Sequence, residues 1–131
     1  MLAVDQEADW GLLARAADEA ATVLGLPANW LNRDCGQYAW CFPLGWRSRT
    51  HHVGSFGPLD VHRVSRAGLM AAKVVSGPKR PHDELDVQAM RPSLEELDAI
   101  EAHLDWLSSE HLDGFDYAPQ RAILQALRDH Q

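Results

Sequence analysis

The 131-residue chain has only two cysteines, Cys35 and Cys41, too few for a disulfide framework. Its start, MLAVDQEADW, is acidic and lacks the basic-then-apolar pattern of a secretory leader, so reduced thiols in a cytoplasmic protein are expected. No apolar run approaches the roughly 20 residues that a bilayer-crossing helix needs, and no membrane association is expected. Glycine-rich phosphate loops of the P-loop and dinucleotide types are missing, as is G-x-S-x-G, and neither cysteine sits in a nucleophile signature. There is no internal repeat, linker or low-complexity tract. What remains is a chain with 46% hydrophobic residues, enough for one core, read as a single domain over residues 1–131.

The net charge of −7 hides a segregation. Residues 1–32 are acidic and residues 81–131 strongly so, with twelve acids against three arginines. Residues 33–80 carry eight cations (Arg33, Arg47, Arg49, Arg63, Arg66, Lys73, Lys79, Arg80) against Asp34 and Asp60. The basic middle either faces an anion or folds against its acidic flanks. The overall acidity argues against duplex DNA, which demands many phosphate contacts.

Periodicity predicts a helix-rich α+β fold, with about four main helices and a small two- or three-stranded sheet element. Asp9 caps a first helix with an apolar stripe of Leu12, Leu13, Ala16, Ala20, Val23 and Leu24, stopped by Gly25 and Pro27. A short helix or turn follows from Pro27 to about Asp34, and the aromatic segment to Arg49 reads as irregular. Runs near His51–Phe56 and Leu59–Val64 flank a Gly57-Pro58 turn and alternate like strands. Ser65 caps a helix ended by Gly77-Pro78, and a short helix is expected near His82–Met90. Ser93 and Glu96 have capping-box spacing before a stripe of Leu94, Leu97, Ile100, Leu104 and Leu107. After the loop DGFDYAP, Pro119 suits the first position of a last helix.

The chemistry concentrates in Gly68–Val87, GLMAAKVVSGPKRPHDELDV. Lys73 sits in an apolar helix. It either lays its methylenes along the core or aims its ammonium at a phosphate. Arg80, Asp83 and Asp86 follow, the two acids sharing a helix face. Lys73, Arg80 and Arg66 are candidate nucleotide or phosphate contacts, with Asp83 and Asp86 as a structural charged cluster. His82 and Asp86, four apart, can ligate together, with His62 or the His51-His52 pair as further donors, but nothing in the sequence fixes their meeting and no metal is assigned. Tyr38, Trp40, Phe42 and Trp46 form either core anchors or a partner-facing patch, Trp40 and Trp46 being the candidate partner contacts.

The segments ATVLGLPANWLN and FGPLDVHRVSRAGLMAAKVVSGPKRPHDELDV, in that order, resemble the carboxy-terminal half of bacterial nucleotidyltransferase-like proteins related to abortive-infection and toxin-type enzymes. The shared features are Trp30-Leu31-Asn32, a later strand, the helix bearing Leu69-Met70-Ala71-Ala72-Lys73, and R-x-x-D-x-x-D at Arg80, Asp83 and Asp86. Family members carry a Gly-Ser turn and an Asp-x-Asp metal clamp upstream, following two-metal logic. Here Asp5 and Asp9 are four apart and do not replace it, and Asp60 on a strand is a single acid. The resemblance therefore implies a nucleotidyltransferase-like domain without independent catalysis, binding a nucleotide or a partner protein in a toxin–antitoxin or phage-defence setting. Mg²⁺ is expected only with a bound nucleoside triphosphate. A homodimer, or a separate catalytic or antitoxin partner, is expected to cover the exposed surface. Two alternatives stand beside it: an active nucleotidyltransferase completed by a separate catalytic half, and a small helical interaction module with no nucleotide role.

Overall fold

The computed structural model describes residues 9–31, 34–57, 59–110 and 116–131, with the side chains of residues 34–37 left out. The sequence readings at Asp5, Asn32, Arg33, Cys35, Pro58 and residues 113–115 fall outside these limits. The described residues form a helix-rich α+β chain: α1 (Trp10–Leu24), β1 (His51–Phe56), β2 (Leu59–Arg63), α2 (Arg66–Ser76), α3 (Pro81–Met90), α4 (Leu94–Glu110) and α5 (Ala118–Asp129). The stretch read as irregular contains 3₁₀ helices at Asp34–Cys41 and Trp46–Arg49, and a third, Gly77–Lys79, links α2 to α3. Two compact units are distinguished, Met1–Ala39 and Trp40–Gln131.

In the first unit, Asp9 accepts from Leu12 N at 3.1 Å and starts α1. Gly25 ends it at φ 66°, a left-handed conformation that glycine adopts without steric cost. Trp30 Nε1 donates to Ala17 O at 3.0 Å and ties the following turn back to the helix. The apolar stripe expected to be buried is largely open: Ala17 is the only buried residue of α1, and Leu12, Val23 and Leu24 are exposed, Val23 by 81%. Periodicity gave the helix and its apolar face, of which Ala17 alone is buried.

The second unit holds the core. Met70, Ala71, Val74 and Val75 of α2 pack with Val87 of α3, with Leu97, Ile100, Leu104 and Leu107 of α4, and with Ile123, Leu124 and Leu127 of α5. Cys41, Phe42 and Tyr117 complete it. Leu94 departs from the expected stripe and is exposed, because it is the first helical residue and points off the packed face. His103, in its place, lies on the buried side one turn after Ile100. The predicted caps form: Ser65 Oγ accepts from Gly68 N at 3.1 Å, and Ser93 and Glu96 exchange bonds of 2.8 and 3.2 Å. Pro119 is the second residue of α5, one place later than expected.

β1 and β2 pair antiparallel as a two-stranded hairpin, from His51 opposite Arg63 to Phe56 opposite Leu59, with a bulge at Val53 between His52 and Gly54. Nearly all of its residues are exposed on both faces.

Candidate functional site: the Lys73 charge cluster

The candidate residues divide into separate groups. Ser65 starts α2 so that Lys73 emerges near its end, while Gly77-Pro78-Lys79 tightens into a 3₁₀ turn and Pro81 opens α3. This short reversal brings the R-x-x-D-x-x-D face of α3 alongside Lys73. The Lys73 ammonium lies 2.9 Å from Asp83 Oδ1 and 2.6 Å from Asp86 Oδ2. Ser76 Oγ donates to Asp83 Oδ2 at 2.7 Å, and Arg80 Nε stands 3.3 Å from the same oxygen. Lys73 thus bridges α2 to both acids of α3, while Arg80 meets Asp83 three residues along.

Asp83 is nearly buried, with 7% of its side chain exposed, and Lys73 retains 20%. Burial alone raises a carboxyl pKa, but the hydrogen bonds from Ser76 and Lys73 outweigh it and hold Asp83 below the ordinary carboxylate range. Burial likewise works to lower the Lys73 pKa, and the bonds to Asp86 and Asp83 overcome it, so the ammonium is held more firmly than usual. Two cations and two carboxylates leave the group neutral. A phosphate approaching Lys73 would meet the two carboxylates beside it, and only one ammonium donor is left for it.

Arg66 lies elsewhere. It stands seven residues before Lys73 on α2, about 10 Å along the axis. Its guanidinium bonds Glu96 Oε1 at 2.8 Å and the Met90 carbonyl at 2.6 Å, fastening the start of α2 to the α3–α4 junction. Glu96 is held below its ordinary pKa, first by Arg66. Arg66 is thus a clamp in the helical body and does not converge with Lys73 and Arg80.

The two tryptophans separate as well. Trp46 packs partly against the core, its ring 4.8 Å from Phe42, with the Arg47 guanidinium 5.2 Å from its centroid. Trp40 is 50% exposed. Of the histidines, His52 faces His62 across the hairpin at 5.0 Å between ring centroids, while His51 opposes Arg63. Asp60 is on β2, accepts from Ser55, and stands 3.7 Å from His52. Ser55 is the first influence holding Asp60 below its ordinary pKa. Among the described residues no group of three or more His, Cys, Asp or Glu is arranged to hold a metal ion.

Sequence reasoning missed a second buried polar joint. His103 Nε2 lies 2.9 Å from the Cys41 carbonyl, and the imidazole, which donates there, stacks on Trp106 at 6.0 Å. The signal was present, since residue 103 shares the spacing of Ile100 and Leu107. Burial pushes the His103 pKa down against the opposing carbonyl bond, so the ring is neutral at pH 7. The Cys41 thiol is pushed up to about 12, by burial first and by the Asp83 charge second. It is free and chemically quiet.

No helix among the described residues is long and apolar enough to cross a membrane. The chain matches no protein-family model, no curated protein and no solved structure.

Proposed function

We propose that this chain is a nucleotidyltransferase-like domain without independent catalysis that works by holding a partner protein. In this reading the Lys73–Asp83–Asp86 group is a clasp between two helices and not a phosphate site. The observation that carries it is the neutralisation of Lys73 by two carboxylates at 2.9 and 2.6 Å, with Arg80 drawn to the same Asp83. A phosphate-binding ammonium offers its charge and donors to its ligand, and here two of the three donors and the charge are directed to carboxylates. The exposed apolar side chains of α1 and of the hairpin supply surface of the kind that protein partners cover. The nucleotidyltransferase-like assignment rests on the ordered sequence motifs. So does the toxin–antitoxin or phage-defence setting. A cytoplasmic location agrees with the buried, free thiol of Cys41.

The test is titration with ATP, GTP, CTP and UTP plus Mg²⁺, beside Arg80→Ala and Lys73→Ala. No saturable binding at millimolar nucleotide is expected. Saturable binding lost in Arg80→Ala, whose exposed side chain can be removed without opening the core, would overturn the clasp reading and restore the nucleotide site.

A further inference from the structure

The hairpin has one polar face. Strand alternation and the bulge at Val53 place His52 and Ser55 of β1 beside His62 and Asp60 of β2, while His51 and Arg63 fall on the other side. The four are linked by contacts. Ser55 Oγ donates to Asp60 Oδ1, His52 Nε2 lies 3.2 Å from Ser55 Oγ and 3.7 Å from Asp60 Oδ1, and the His52 and His62 ring centroids stand 5.0 Å apart. The side chains of His52 and Asp60 are 51% and 69% exposed, and His62 is exposed as well, so an ion can reach them from solvent. Neither the clasp nor the core uses any of them.

Hydrogen bonds set which ring nitrogens are available. Thr50 Oγ1 donates its one proton to the Arg47 carbonyl at 3.0 Å, so at its 3.3 Å contact with His62 Nδ1 it accepts. His62 Nδ1 therefore carries the ring proton and Nε2 keeps a lone pair. The two nitrogens of an imidazole point widely apart. With Nδ1 turned to Thr50 at the base of the hairpin, His62 Nε2 is turned toward the tip, where Asp60 stands. His52 Nε2 is turned the same way, onto Ser55 and Asp60. Neutral imidazole nitrogens are ligands for zinc, nickel and copper ions. A tetrahedral ion about 2.0–2.1 Å from one nitrogen of each of two rings sets the ring centroids about 5 Å apart, and the His52 and His62 centroids have that separation. Metal-bound histidines commonly donate their other N–H to an oxygen, as His62 does to Thr50.

We propose that His52 and His62 are the two protein ligands of a divalent transition-metal site bridging β1 to β2, with water completing the coordination and Asp60 accepting from a bound water. On binding, His52 releases Ser55, loses its Nε2 proton to solvent and takes one up at Nδ1, so the ring stays neutral. No third protein ligand converges among the described residues, so the site is open and exchangeable, unlike the closed four-ligand sets of structural zinc. Mg²⁺ and Ca²⁺ favour oxygen ligands and are not its ions. An isolated two-stranded hairpin is marginal in water. An ion that binds only while the strands are paired stabilises that pairing by mass action. The hairpin is thus tighter with metal than without it. This inference goes beyond the partner-holding reading and does not rest on it.

The test is isothermal titration of the tag-free full chain with Zn²⁺ to about 1 mM, beside Mg²⁺. One saturable Zn²⁺ site is expected, and none for Mg²⁺. His52→Ala and His62→Ala should each weaken Zn²⁺ binding about tenfold or more, and Thr50→Val, which removes the oxygen that orients His62, should weaken it several-fold. His82→Ala, on α3, should leave it unchanged. Hydrogen exchange reads the bridge: Zn²⁺ should slow the amides of His51–Phe56 and Leu59–Arg63 in the wild type and not in His52→Ala. Circular dichroism of each variant separates loss of a ligand from loss of fold. A wild type that binds no Zn²⁺ up to about 1 mM overturns the inference. So does binding that survives the double substitution, which would place the ion on other histidines, or binding that needs only one of the pair. Exchange unchanged by Zn²⁺ would overturn the bridge between strands. The nucleotide titration judges the clasp separately, since its Mg²⁺ does not enter this site.

Discussion

The helical body and the hairpin treat the same kinds of residue in opposite ways. In α2–α5 the charged groups that cross between helices find opposite charges: Lys73 with Asp83 and Asp86, Arg66 with Glu96, Arg128 with Asp98 and Glu101, Arg121 with Asp105. Leucines and valines fill the space between them. In β1–β2 Arg63 and Phe56 face solvent, and His52, Ser55 and Asp60 bond one another. Internal charge pairing and exposed apolar surface thus fall to different segments of a chain of 131 residues. A substitution in one should leave the other's role intact.

The comparison breaks most readily at Asp83. Asp83→Ala strands Lys73 and Ser76 in a half-buried setting and should cost about 3 kcal/mol, lowering the thermal midpoint by roughly 10 °C. If calorimetry shows no shift, the body does not depend on its clasp. Next is Gly77, whose added Cβ would stand 2.8 Å from Ile123 Cδ1. Gly77→Ala is expected to cost about 1–2 kcal/mol by overpacking, and Ile123→Val should recover part of it in a double-mutant cycle.

The pH dependence separates the joints. Folded His103 takes a proton less readily than an unfolded histidine of pKa about 6.5, so the unfolded chain protonates first and stability should fall as pH drops below that value. A His103→Gln variant, followed by urea unfolding across pH 5 to 8, should flatten that slope. Asp83 has the usual carboxylate sign: its contribution is present above the unfolded pKa of about 4 and is lost as pH falls through the depressed folded value. Lys73, with a raised pKa, contributes below about pH 10 and loses that contribution only as pH rises through the folded value. The clasp therefore holds across the neutral range, while His103 gives a slope below about pH 6.5. The smallest effect belongs to the hairpin. Phe56→Ser, on an exposed face, should change monomer stability by no more than about 0.5 kcal/mol.

Local chemistry was legible in the sequence. Asp9, Ser65, Ser93 with Glu96, and Gly25 announce helix ends because caps act within four residues. The strand pair was legible from alternation across Gly57. The Lys73–Asp83 pair was within reach as well, ten residues apart across one turn. Arg66 was misleading because its acid, Glu96, lies thirty residues on and its other acceptors are backbone carbonyls, which have no sequence signature. Leu94 and His103 exchanged expectations because spacing gives a face but not where along the helix the neighbours begin. The exposure of Leu12, Val23 and Leu24 was likewise invisible, since periodicity marks an apolar face and not its burial.

The clasp also has a place in time. Ser76 and Lys73 reach Asp83 and Asp86 over only seven to thirteen residues, whereas Gln120 reaches the Val75 carbonyl over 45 and His103 the Cys41 carbonyl over 62. Short loops close in tens of nanoseconds and at little entropic cost, and long closures follow. On a ribosome, residues 65–91 can knot themselves before α4 and α5 have been made. The knot then presents a half-formed core, already registered, for each later helix to land on. A peptide spanning residues 64–92 that shows helical circular dichroism weakened by Asp83→Ala would bear this out, and one that is coil in both forms would place the knot late in folding instead.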